Sequence, residues 1–95
     1  MFIVLLKFAE NKSSAKDWMD GHNAWLKRGF DDGVFLLAGS LQPGLGGGIL
    51  AHGLSKSELE ERVDDDPFIK ARVVEAQIIE MTPSKADQRL AFLVG

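Results

Sequence analysis

Apolar residues recur along this chain with two spacings, and the spacings divide it into elements. Phe2-Ile-Val-Leu-Leu-Lys-Phe8 is a short, nearly continuous apolar run, ended by Glu10-Asn-Lys-Ser13. Its length and its strand-forming residues predict a buried central strand. Over residues 15–30 the period becomes that of a helix. Ala15, Trp18, Met19, His22, Trp25, Leu26 and Phe30 fall on one stripe, with Lys16, Asp17, Asp20, Asn23, Lys27 and Arg28 opposite. Ser13 or Ser14 is placed to cap this helix, which ends near Gly29 to Asp32. Residues 34–39 predict a second strand and residues 48–52 a third. The loop between them is polar at its start and glycine-rich at its end, which suits a mobile hairpin connection.

Ser55-Lys-Ser-Glu58 is a capping box that opens a second helix running to about Asp64. Asp66-Pro67 breaks it, because proline lacks a donor and pushes the preceding residue out of the helical region. Residues 73–81 show partial alternation and predict the last strand. The order strand, helix, strand, strand, helix, strand is the split βαβ arrangement of an α+β, ferredoxin-like βαββαβ subunit with an antiparallel sheet. Helices cover only one face of such a sheet, so a second copy is the natural cover for the other. Residues 1–82 form this domain and residues 83–95 a C-terminal extension. Within the extension, Ser84-Lys-Ala-Asp87 is placed to cap a short helix. Leu90, Phe92, Leu93 and Val94 are apolar enough to be expected against their own subunit or a dimer partner.

Composition narrows the function classes. A chain of 95 residues is one domain that buries only about 60–65% of its unfolded surface, which favours a homodimer. It has no cysteine, so disulfides and thiol catalysis are excluded. The net charge is −3 with scattered basic residues, which speaks against a nucleic-acid partner. No apolar run approaches the ~18 residues of a membrane span. Residues 1–7 are too short for a signal-peptide core, so a cytoplasmic protein is expected.

Several motifs carry little. Gly44-Leu-Gly-Gly-Gly48 lacks the Lys and Ser or Thr of a phosphate loop. Ile49 takes the third glycine position of a dinucleotide fingerprint, so the run reads as a turn needing positive φ. His52 ends a strand and reads as structural, and two histidines with no third ligand make no metal site. Trp18 and Trp25 read as core and interface anchors. His22 is different, because it lies on the inward stripe of its helix. Asp66, fixed in direction by Pro67 at the end of the second helix, is its best partner. A carboxylate on one imidazole nitrogen would orient the ring and leave the other nitrogen for a substrate proton. A core histidine satisfied by a backbone carbonyl is an equal reading of the residues alone.

Gly33-Val-Phe-Leu-Leu-Ala-Gly39 downstream of His22, and Asp66-Pro67-Phe68 before the final strand, resemble the YCII-related (YciI-like) family over roughly residues 1–82. The resemblance implies a ferredoxin-like subunit that pairs into a dimeric α/β barrel. It also implies a cleft with a His–Asp pair, mapping onto His22 and Asp66. Many members have Gly-Pro after the second strand, where this chain has Gly39-Ser40 followed by Leu-Gln-Pro43. Some members resemble dehydrochlorinases of chlorinated hydroxyquinols. The expectation is a small-molecule enzyme of lyase or isomerase type, acting on a phenolic or aromatic-derived compound. His22 and Asp66 would be the catalytic pair, with Gly39, Ser40, Pro67 and Phe68 at the substrate, and no metal or organic cofactor is implied. The alternatives are a non-catalytic protein binding an aromatic metabolite, and a structural dimer whose histidine satisfies a buried hydrogen bond.

Overall fold

The computed structural model describes residues 1–94. Its strands are β1 (Phe2–Phe8), β2 (Phe35–Leu41), β3 (Gly46–Ala51) and β4 (Val74–Glu80), and they form one antiparallel sheet in the order β2-β3-β1-β4. Helix α1 (Ala15–Asp31) connects β1 to β2. Helix α2 (Lys56–Asp64) and the short α3 (Pro67–Lys70) connect β3 to β4. This is the ferredoxin-like arrangement.

Strand alternation sends Phe2, Val4 and Leu6 of β1 to the helix side, together with Ile49 and Ala51 of β3. There they meet Trp25 of α1, Leu59 and Val63 of α2, and Phe68 of α3 in one core. Helix α1 lies so close to β2 at Gly29 that a Cβ there would run into the Phe35 ring. Ile3 and Leu5 of β1 point to the opposite side, as do their cross-strand partners Leu50 and Ile79 and, beyond Leu50, Leu37. That side carries no helix, and Leu37 is 60% exposed.

Three local features differ from expectation. Ser14 precedes α1 without a side-chain cap. A 3₁₀ turn at Lys12–Ser14 delivers the chain with Ser14 at φ −88° and ψ 2°, whereas a capping serine needs extended backbone. The glycine-rich run is not a loop throughout, since Gly46, Gly47 and Gly48 pair with both β1 and β2. The turn lies at residues 42–45, with Gly44 at φ 60°. Finally, the stripe of α1 is only partly inward: Trp25 is buried, but Trp18, Met19 and Phe30 are each more than 40% exposed. Beyond β4, Asp87 caps a 3₁₀ segment at Gln88–Leu93, and Phe92 sets its ring edge-on to His52, 5.5 Å away.

The capping box of α2 is complete. Ser55 Oγ accepts from Glu58 N–H, and the Glu58 carboxylate accepts from Ser55 N–H. That backbone bond first, and the serine side chain second, hold the Glu58 carboxyl below its ordinary range. A group with a lowered folded pKa contributes stability that is present above its unfolded value and lost as pH falls through the folded one. Glu58→Gln is therefore expected to flatten the acid limb of stability against pH, in urea unfolding series run from neutral into the acid range. An unchanged acid limb would show that the charge of the Glu58 carboxylate contributes nothing measurable to stability.

Candidate active site

The residue pair His22 and Asp66 is built by three elements. Asp66 leaves α2 with extended backbone, φ −64° and ψ 123°, and becomes the N-cap of α3, with Pro67 at the first helical position. Its Oδ1 accepts from Phe68 N–H at 3.0 Å. The same oxygen lies 2.8 Å from His22 Nδ1 on α1. An ionised carboxylate only accepts, so Nδ1–H donates and the neutral imidazole is held as the Nδ1–H tautomer. Asp66 has no exposed surface, and its Oδ2 is buried without a hydrogen-bond partner among the described residues. The His22 side chain keeps 12% exposure.

Two contacts fix this geometry. Gly21, the residue before His22, faces Pro67, and a Cβ there would stand 3.0 Å from Pro67 Cγ. A larger residue would crowd the proline ring beside Asp66. Phe68 stacks on the imidazole with ring centroids 4.0 Å apart and planes 6° from parallel. Trp25, one turn along α1, lies 5.8 Å from the imidazole, and its indole N–H donates to the Arg62 carbonyl at 2.8 Å.

His22 lines a cleft of about 330 Å³ between α1 and the helix side of the sheet. Met19, His22, Asn23 and Leu26 form the helix wall. The sheet wall includes Leu6, Ala38, Ile49, Gly39 and Ser40, and the glycines of β3. Phe68 joins the lining from α3. With Nδ1 committed to Asp66, Nε2 is the ring nitrogen available to a molecule in the cleft. Ser40 and Asn23 are the other polar side chains of the lining, and no Lys or Arg contributes to it.

Of the residues singled out from the sequence, His22, Gly39, Ser40 and Phe68 border this cleft. Asp66 stands behind His22, out of contact with solvent. Pro67 packs against Gly21 and is not part of the lining. Asn23 was placed on the polar side of α1, yet it borders the cleft, since one helical step from His22 turns only about 100°. Gly46 and Gly47 of β3 were read as a turn and instead, with Gly48, floor the cleft. His52 lies elsewhere, its Nε2–H donating to the Gly33 carbonyl at 3.0 Å. Among the described residues, no group of three or more His, Cys, Asp or Glu side chains is placed to hold a metal, and no helix is long and apolar enough to cross a membrane.

No protein-family model matches the chain, and no curated protein matches its sequence. Among solved structures, it is similar to the 5-chloro-2-hydroxyhydroquinone dehydrochlorinase of Burkholderia phenoliruptrix AC1100 in complex with 2,5-dihydroxybenzoquinone. The TM-score is 0.69 at 16% identity, over 85% of this chain and 93% of that one. The two share a fold. At this identity the likeness shows the fold alone.

The buried pair makes a direct prediction. Asp66→Ala removes both the α3 cap and the acceptor of a charge-assisted bond, and should lower stability by roughly 2–4 kcal/mol. In side-chain ¹⁵N NMR, neutral His22 should shift from the Nδ1–H toward the Nε2–H tautomer, while His52 keeps its signals. A His22 tautomer unaffected by Asp66→Ala would mean that the carboxylate does not set it.

Proposed function

We propose that the cleft binds a small phenolic or aromatic-derived molecule and that His22 moves a proton on it, in a reaction of lyase or isomerase type that uses no cofactor. The observation that carries this reading is the 2.8 Å contact between His22 Nδ1 and a carboxylate with no exposed surface, made at the wall of an apolar cleft. Asp66 acts through the imidazole and is a positioning residue, whereas Nε2 of His22 meets the substrate. Ser40 and the Gly39 backbone, with Asn23, hold a substrate oxygen. The fold neighbour is a dehydrochlorinase solved with a quinone, which supports an elimination on a hydroxylated ring. In that step the substrate reacts as its keto tautomer, in which one hydroxyl proton has moved to the chlorine-bearing carbon. Nε2 takes the proton of a second hydroxyl, the electron pair released expels chloride as the ring becomes a quinone, and the imidazolium later returns its proton to water. A positioned base supplies about 10²–10⁴-fold, so the substrate must itself be activated.

A second reading has its own support. Among the described residues, His22 is the only titratable side chain in the lining, so no separate acid there stands ready for the leaving group. A protein that binds an aromatic metabolite without converting it needs no such acid. Chloride release from 5-chloro-2-hydroxyhydroquinone separates the two readings. Turnover by the wild type, with a loss of about 10²-fold or more in His22→Ala, is the expected result. Equal rates in both proteins would remove His22 from the mechanism. Binding without product would establish the second reading.

We further propose that a second copy covers the open side of the sheet, pairing the subunits into a dimeric α/β barrel. A hollow of about 310 Å³ on that side is bordered by Ile3, Leu5, Leu37, Leu41 and Leu50, an apolar surface with no helix over it. Sedimentation should give a dimer for the wild type and a monomer for Leu37→Lys. A monomeric wild type at micromolar concentration would refute the pairing.

A further inference from the structure

Three consecutive glycines, Gly46, Gly47 and Gly48, lie in β3, a strand with neighbours on both sides. Glycine weakens a strand interior, so each needs a local reason. Gly46 has φ 130°, and a Cβ there would run into the Leu6 carbonyl oxygen. At Gly48 a Cβ would stand 3.3 Å from Leu41 Cδ2, tighter than most real contacts. Gly47 has neither reason. Its backbone is outside the positive-φ region, and a Cβ would meet only the Gly39 carbonyl oxygen, at an ordinary 3.4 Å.

The register decides where that missing side chain would point. Gly47 pairs with Leu6 on one side and Ser40 on the other, two residues from Ile49, and Leu6 and Ile49 are both buried on the helix side. A side chain at position 47 would therefore rise into the cleft that His22 borders. The backbone tolerates one; the cleft is what it would fill.

We propose that Gly47 is the specificity-determining residue of this cleft, leaving a bare strip of strand on which a flat, uncharged aromatic ring lies. The proposal rests on the reading that the cleft holds an aromatic molecule, and it adds the charge and shape of that molecule. Absence of charge follows from the lining, where no Lys or Arg is present to neutralise an anion and the imidazole is already backed by a carboxylate. Flatness follows from the walls. Met19 and Leu26 on α1 face a floor whose only projection at position 47 is a Cα hydrogen. An oxygen on the ring then has Ser40 beside Gly47 and His22 on the opposite wall as partners.

The test uses the full chain, with Gly47→Ala and Gly47→Leu, and two neutral probes, phenol and 2-naphthol. Binding is followed by calorimetry and by the side-chain NMR signals of His22, and folding by thermal unfolding. The wild type should bind both probes with movement of the His22 signals. Gly47→Ala should keep phenol within about twofold and weaken 2-naphthol about tenfold, and Gly47→Leu should lose both. The Tm of Gly47→Ala should equal or exceed that of the wild type, because alanine replaces a strand glycine whose conformation it can adopt. A lowered Tm in Gly47→Ala would show that the glycine is structural, and unchanged binding of both probes by Gly47→Leu would show that position 47 does not face the ligand. Either result overturns this proposal and leaves the aromatic-cleft reading standing. A wild type that binds neither probe overturns that reading and this proposal together.

Discussion

Asp66 has no exposed surface, and a carboxylate taken out of water costs several kcal/mol unless protein donors replace its hydration. Its Oδ1 receives two such donors, Phe68 N–H from the first turn of α3 and Nδ1–H of His22 from α1. The first bond starts α3 and the second ties α3 to α1, so one oxygen sets the position of both elements. Phe68 is brought over the imidazole by the same turn that its amide helps to close. Much of the site therefore depends on a single buried acceptor. Gly21 eases the approach of Pro67 to α1, since a Cβ there would make an unusually tight contact with the proline ring.

The cleft exists because α1 is held unevenly above the sheet. At Gly29 the helix backbone is close-packed on Phe35, and Trp25 beside it is fully enclosed. Toward Met19 and Asn23 the helix stands off, and the strand beneath carries glycines instead of branched residues. A gap between two elements normally fills with side chains, since interiors are packed as densely as organic crystals. Here His22 occupies the transition between the packed and open ends, stacked on one side and free at Nε2 on the other. That placement gives a histidine both a fixed orientation and access to a bound molecule.

The strands, the capping box and the βαββαβ order were legible in the sequence because each rests on a local rule. A continuous apolar run marked β1, the Ser55–Glu58 spacing marked α2, and Asp66-Pro67 marked the end of that helix. His22 and Asp66 were also legible as partners, since helices packed on one sheet face bring the end of one near the middle of the other. What stayed hidden depends on the third dimension. The cleft-lining role of Asn23 comes from its place one helical step from His22, at the border of the stripe, where the period alone assigns it to the polar side. The pairing of Gly46 and Gly47 into a strand comes from ladders on both flanks, and those ladders outweigh the low strand preference of glycine. Ser14 looked like a cap by composition, but the 3₁₀ turn before it had already set its backbone.

A cleft of this kind weakens the domain that carries it. The buried carboxylate leaves Oδ2 without a partner, and the glycines of β3 remove side chains from the middle of the sheet. A chain of 95 residues has little apolar burial in reserve to offset such losses. Part of the apolar surface not yet committed lies on the open side of the sheet, at Ile3, Leu5, Leu37, Leu50 and Ile79. Covering it would add burial without touching the cleft, because strand alternation puts the two surfaces on opposite sides of the same strands. Residues 48 and 49 show how near they are: Gly48 turns toward Leu41 on the open side, while Ile49 is in the core beside the cleft. A partner on the open side would thus stiffen the floor of the site from behind, at the strand that glycine makes weakest.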